Sequence, residues 1–280
     1  MKLKNDLAKF AQNSISLSIG GKAEYVLGGT RFGGVPDLPE NFRWDCYTAS
    51  TFEDDELKPR PLAFIAQFNL EEMSRYDNEH LLPEKGLLSF FYEIGSQQWG
   101  YDPKDKGCAK VYWFEDITEL KAVEFPKDLP EDYRFPMLKI KARSKVNYPS
   151  YEDYSLTRIN MTEHWDEYDE AISSLGVQEE DINHKLLGWS NPIQGNMTQE
   201  CELVSRNYYL GNGWDKITPR DRQESIDRSK DWQLLFQLDT VSEGDFELMF
   251  GDCGRIYYYI RKKDLAARNF DNIWLILQCC

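Results

Sequence analysis

One strand pattern occurs twice in this chain, and that repetition constrains the fold more than any other feature. "PLAFIAQFNL" (Pro61 to Leu70) and "WQLLFQLDT" (Trp232 to Thr240) each read as a buried strand with a glutamine, Gln67 or Gln237, set in its apolar run. Aligning the two glutamines pairs Leu62 with Trp232, Phe64 with Leu234, Ile65 with Leu235 and Asn69 with Asp239. The next strand opens at Gly86 in one copy and at Gly254 in the other, after nearly the same interval. There "LLSFFYEI" aligns with "RIYYYIRK", placing Phe90 with Tyr258 and Phe91 with Tyr259. Weak identity with consistent patterning is how a duplicated α+β unit reads. The expected fold is therefore α+β, with two β-rich halves related by internal duplication, sharing one core, and helices packed on the sheets. A single domain over 1–280 would hold half-repeats at approximately 15–145 and 180–280.

Each buried amide needs partners, because an unsatisfied one costs about 1–3 kcal/mol. Either each glutamine ties down a neighbouring loop of its own half, or both face a cleft between the halves. The first is the expectation, since buried polar groups are usually satisfied structurally.

Elsewhere Leu3, Leu7, Phe10 and Ala11 recur at helical spacing. Further strands are expected at 86–94, 110–114, 255–261 and 273–278. "TEHWDEYDEAISSLG" reads as a helix with Thr162 as N-cap and Gly176 as its stop. "EEDINHKLLG" reads as a short helix ended by Gly188, and "MTQECELVSRNYY" as another. "PRDRQESIDRSKDW" is a charged helix or a loop. Residues 121–150 carry Pro126, Pro130, Pro136 and Pro149 and read as a surface connection between the halves.

Charge bears on partners. With 48 acidic and 33 basic residues the net charge is −15, a surface that repels nucleic acid and anionic membranes. A basic protein partner fits it, because opposite charges steer association. The start "MKLKNDLAKFAQNSISLSIG" lacks the apolar core of a signal peptide, and no run of eighteen apolar residues occurs. A cytoplasmic monomer without nucleic-acid or membrane partners is expected. The six cysteines include no C-x-x-C pair, so free thiols, no metal and no cofactor are expected.

Chemical motifs are incomplete. "SIGGKAEY" has Ala23 where a phosphate loop needs Ser or Thr, and "GWSNP" has Pro192 where a nucleophile elbow needs Gly. His80, His164 and His184 are scattered. His184 is read as a helix-end residue before it is read as catalytic. Asp252 in "FGDCG" is read as a turn cap before a pocket carboxylate.

"GGVPDLP", "PLAFIAQFNL", "LPEKGLLSFFYE", "KVYWFED", "HKLLGWSNPIQGNM", "WQLLFQLDT", "FGDCGRIYYYI" and "DLAARNFDNIWLILQC" occur in one order from about Gly33 to the C-terminus. In this the chain resembles the YwqG-like family of bacterial proteins of unassigned function. The resemblance implies an internally duplicated α+β fold and a cytosolic protein, and it carries no catalytic residues to transfer. Two function classes follow. One is a non-catalytic binding or interaction module with an acidic surface that neutralises a basic protein partner. The other is an enzyme, or a carbohydrate or small-ligand binder, with a polar site between the halves built from Gln67, His184, Gln237 and Asp252.

Overall fold

A computed structural model describes residues 2–153, 155–156, 165–177 and 182–280. Ten strands make one large, nearly closed sheet: β1 (Gln12–Lys22), β2 (Arg31–Phe32), β3 (Ala63–Asn69), β4 (Leu87–Tyr92) and β5 (Ala109–Phe114), then β6 (Leu138–Asn147), β7 (His184–Leu186), β8 (Trp232–Leu238), β9 (Arg255–Arg261) and β10 (Trp274–Gln278). In space they run β10-β9-β8-β7-β1-β6-β2-β3-β4-β5, every neighbour antiparallel. Matching β1–β5 with β6–β10 gives the same order from either edge. The first strand of each run sits on the other run's side, because β1 pairs with β7 and β6 with β2.

The helices are short: α1 (Lys2–Leu7), α2 (Leu70–Met73), α3 (Trp165–Ser174), α4 (Thr198–Ser205), α5 (Pro219–Ser229) and α6 (Lys262–Ala266). The chain is therefore mostly β, which corrects the α+β expectation. Three readings produced the difference. Ile15, Leu17 and Ile19 alternate with Ser14, Ser16 and Ser18 along β1, a period-two strand behind the N-terminal helix. The proline-rich connection contains β6, since Pro126, Pro130, Pro136 and Pro149 all fall outside Leu138–Asn147 and spare its ladder. Residues 184–186 are a strand, not a helix: flanked by β1 and β8, they exchange ladder bonds on both sides, and that overrides local helical spacing. The charged stretch 219–229 is the helix α5, capped by Thr218, whose side chain accepts from the Asp221 amide.

The inner face of the sheet is one aromatic core. Phe68 and Phe90 of β3 and β4 meet Phe236 of β8 at ring separations of 5.3 and 4.7 Å, and Phe90 meets Tyr258 of β9 at 5.1 Å. Tyr258 also donates to the Phe91 carbonyl at 3.2 Å. Both sides of the sheet thus bury their apolar faces against each other, at about 1.5–3 kcal/mol per large side chain. Outward, β3 and β4 are covered by Phe42, Trp44 and Phe125, whereas β8 and β9 are covered by Cys201, Leu203 and Val204 of α4.

The two glutamine strands carry the same irregularity. Along β3–β4 the register passes from Phe64 opposite Phe91 to Ala66 opposite Phe90, so Ile65 bulges. Along β8–β9 it passes from Leu234 opposite Tyr259 to Phe236 opposite Tyr258, so Leu235 bulges. The freed carbonyl of Ile65 accepts from the Gly33 amide at 2.9 Å, and that of Leu235 from Leu187 at 3.2 Å. Both donors sit in left-handed backbone, at φ 58° for Gly33 and 59° for Leu187. A side chain at Gly33 would press its Cβ to 2.3 Å from the Pro136 carbonyl oxygen, so that position needs glycine. Among the described residues, no helix is long and apolar enough to cross a membrane.

Candidate functional site

Gln67 and Gln237 follow the bulge, and each turns away from the aromatic core toward the outer face of its own side. Gln67 accepts from the Asp37 amide at 3.1 Å and donates to the Gly29 carbonyl at 2.9 Å and to Asp37 Oδ2 at 2.7 Å. Gln237 accepts from the Asn191 amide at 2.9 Å and donates to the Asn183 carbonyl at 2.6 Å and to Asn191 Oδ1 at 3.4 Å. A buried cation stands beside each in the ladder, Arg31 opposite Gln67 and Lys185 opposite Gln237. Each cation donates to the side chain six positions on, Asp37 or Asn191. Even the outer neighbours correspond: Thr30 Oγ1 accepts from the Asn69 amide at 2.9 Å, and His184 Nδ1 from the Asp239 amide at 3.1 Å.

The first shell is sealed. Arg31, Asp37 and Gln67 are at most 2% exposed, and Arg31 Nη1 lies 2.9 Å from Asp37 Oδ2. The Gly28 amide and the Tyr25 hydroxyl also donate to this carboxylate, at 2.8 and 3.0 Å. Burial pushes the Asp37 carboxyl up, but the Arg31 and Gln67 hydrogen bonds outweigh it and hold the group below the usual carboxylate range.

The second shell opens on a cavity of about 630 Å³, within the range of about 300–1,000 Å³ usual for small-molecule sites. Its floor is the outer sheet face, with Ser14 and Ser16 of β1, Lys145 and Asn147 of β6, and Lys185 of β7. Arg255 of β9, at the wall, is held by Asp239 at 2.6 Å and by the Asn191 carbonyl at 3.2 Å. The lining also includes Tyr148, Tyr151 and Glu152, and Tyr168, Asp169 and Ile172 of α3. Ser190 also borders a smaller cavity of about 270 Å³ lined by Trp189, Trp232 and Tyr259.

His184 lines the larger cavity, but its chemistry is muted. Burial drives its pKa down to about 4, with the Arg255 charge adding to the fall and Asp239 opposing it. It is neutral near pH 7, and its Nδ1 lone pair is taken by the Asp239 amide. That nitrogen is unavailable as a general base. Asp252 lies elsewhere, in the exposed turn 251–253, where its carbonyl accepts from the Cys280 amide at 3.0 Å. No hydrogen bond or ion pair joins it to Gln67, His184 or Gln237. The structure therefore brings His184 and Gln237 to one place, with Gln67 and Asp252 each apart. Thr162 and His164 lie outside the described residues.

All six cysteines are free. Burial pushes the Cys108 and Cys201 thiols up, while the Asp252 charge raises Cys253. These upward shifts are opposite to that of a reactive thiol. Among the described residues, no three His, Cys, Asp or Glu side chains cluster as metal ligands.

Sequence reasoning missed Arg31, Asp37, Lys185, Asn191, Asp239 and Arg255. A signal was present: the cation and its polar partner have the same spacing in "RFGGVPD" and "KLLGWSN".

Residues 30–279 match the family described as a domain of unknown function, DUF1963. No curated protein matches the sequence.

Proposed function

The chain belongs to the DUF1963 family, and from the contrast between its glutamine shells we propose that it is a non-catalytic binding protein whose ligand site is the cavity beside Gln237. One observation carries this. Equivalent positions form a sealed ion pair on one side and the edge of a 630 Å³ polar cavity on the other. A fold that needs the shell only for support has no use for the opening. The absence of a base at His184 Nδ1 favours binding over catalysis. Fragment screening by amide NMR tests the reading. Shifts centred on Asn147, Lys185 and Asn191 support it, and shifts confined to other surfaces overturn it.

The same correspondences support an internal duplication, with units beginning at β1 and β6 and exchanging those first strands. They also keep the resemblance to the YwqG-like family as the finer family reading. A circular permutant opened between β5 and β6 should retain the parent's melting temperature within a few degrees; loss of folding would count against the duplication.

A second reading, docking of a basic protein, is favoured by the hairpin of Cys46–Ala49 and Lys58–Pro61. Its tip shows Phe52 at 95% exposure beside Glu53, Asp54, Asp55 and Glu56. Arg60 fixes the tip by donating to the carbonyls of Ala49, Asp54 and Glu56. An exposed aromatic among carboxylates suits a cationic surface with an apolar socket. Photo-crosslinking from position 52 in the native host tests it, with salt-sensitive capture of a basic protein as the supporting result. Capture indifferent to salt and to Glu53→Lys would reject it.

A further inference from the structure

We propose that Cys253 and Cys280 form a redox site, a dithiol that closes to a disulfide by exchange with a cationic low-molecular-weight disulfide. It is independent of the ligand cavity and starts from the register of the last two strands. β9 and β10 pair with Arg255 opposite Gln278, and beyond that pair the turn 251–253 meets the residues that follow β10. There the Cys280 amide donates to the Asp252 carbonyl at 3.0 Å. That carbonyl belongs to the peptide unit leading into Cys253, so ordinary bond lengths place the two cysteine Cα atoms about 5–6.5 Å apart. Disulfides span about 4.4–6.8 Å between Cα atoms.

Three thiols meet at this corner, and the backbone sorts them. Cys279 is buried under the turn, where a Cβ at Gly251 would lie 2.9 Å from its Sγ. Successive side chains of an extended segment point to opposite sides, so Cys280 faces away from Cys279. Cys253 and Cys280 are both exposed. Cys253 sits in left-handed backbone at φ 51°, in a turn closed by the Gly254 amide donating to the Phe250 carbonyl at 2.8 Å. The Asp252 charge raises its thiol pKa most, followed by burial and then by Cys280, which puts the second thiol within electrostatic reach of the first.

Asp252 holds Cys253 protonated, so Cys280 attacks first. The Cys280 thiolate attacks one sulfur of the external disulfide, forming a mixed disulfide and expelling one small thiolate. Cys253 then gives its proton to solvent and attacks the Cys280 sulfur, expelling the second. The protein loses two electrons and two protons, and the external disulfide becomes two thiols. The second step is intramolecular, and proximity offsets the small thiolate fraction at Cys253. Asp252 and Glu247 both bear on Cys253, and the chain carries a net charge of −15. Anionic disulfides are therefore repelled and cationic ones drawn in.

The test exposes the reduced full chain to cystamine and to 3,3′-dithiodipropionate, which are similar in size and opposite in charge. Peptide mapping by mass spectrometry after alkylation identifies the products, and each rate is divided by that of the same disulfide with a small neutral thiol. A Cys253–Cys280 crosslink should dominate. Cystamine should form it at least about tenfold faster at low salt, with the advantage shrinking at 1 M salt. Cys253→Ser and Cys280→Ser alter exposed residues and should leave folding intact. The first should accumulate a mixed disulfide on Cys280, and the second should give no crosslink from Cys253. A mixed disulfide that persists unresolved in the parent would overturn the proposal, as would a dominant crosslink to Cys46 or Cys279. Equal corrected rates for the two disulfides, or no reaction with either, would overturn it as well.

Discussion

The two glutamine shells share a backbone solution and differ in charge. On one side an arginine, a carboxylate and an amide lock together with at most 2% exposure. On the other, lysine and two amides occupy the same positions beside a cavity. The difference separates what the fold requires from what it tolerates. The glutamine is needed on both sides, because the segment after each bulge must be tied to the strand that carries it. The carboxylate is not, because Asn191 supplies the same backbone amide and an oxygen in the same place. A buried ion pair is weak evidence for stability, but breaking one is costly. The first shell is consequently the more fragile of the two and the second the more adaptable.

The most severe test removes one side altogether. A fragment of residues 1–145 keeps β1–β5 and most of β6 but exposes Phe68 and Phe90, whose partners are Phe236 and Tyr258. It should show no cooperative melt in calorimetry; a sharp transition would mean that the two sides hold separate cores. Next, each shell can be given the other's residue. Asp37→Asn strands Arg31 as a buried charge and should cost about 3–5 kcal/mol in urea unfolding. Asn191→Asp should change stability by no more than about 1 kcal/mol, since its site borders the cavity. Equal effects would erase the contrast.

The His184 shell should reveal itself in pH dependence. Its pKa falls from an ordinary 6.5 to about 4 on folding. Below pH 6.5 the unfolded chain takes up the proton first, so the full stability above 6.5 is lost as pH falls toward 4. The loss attributable to this group is roughly 3 kcal/mol. Subtracting the unfolding curve of His184→Gln from that of the parent at pH 7 and pH 4.5 isolates it, and no pH-dependent difference would mean that the ring is hydrated. Comparable or smaller losses concern the glutamine amides. Gln67→Leu and Gln237→Leu should each cost about 1–3 kcal/mol. Gln67 should lie at the upper end, because its loss also takes a hydrogen bond from Asp37. If both variants are as stable as the parent, the amides are not structural.

The sequence by itself determined the two glutamine strands, the strands that follow them and the alignment of Phe90 with Tyr258, because an apolar run around an unusual polar residue is local information. It also exposed the aromatic load of the inner face. Tertiary structure alone decided the centre of the sheet. β7 is three residues long and is a strand only because β1 and β8 flank it, while β6 hides between prolines that never enter its ladder. It alone also brought Arg255 to Lys185 and Asn191, which share one segment. Charge balance and solvent access depend on which distant segments meet, and a local pattern holds no record of that meeting.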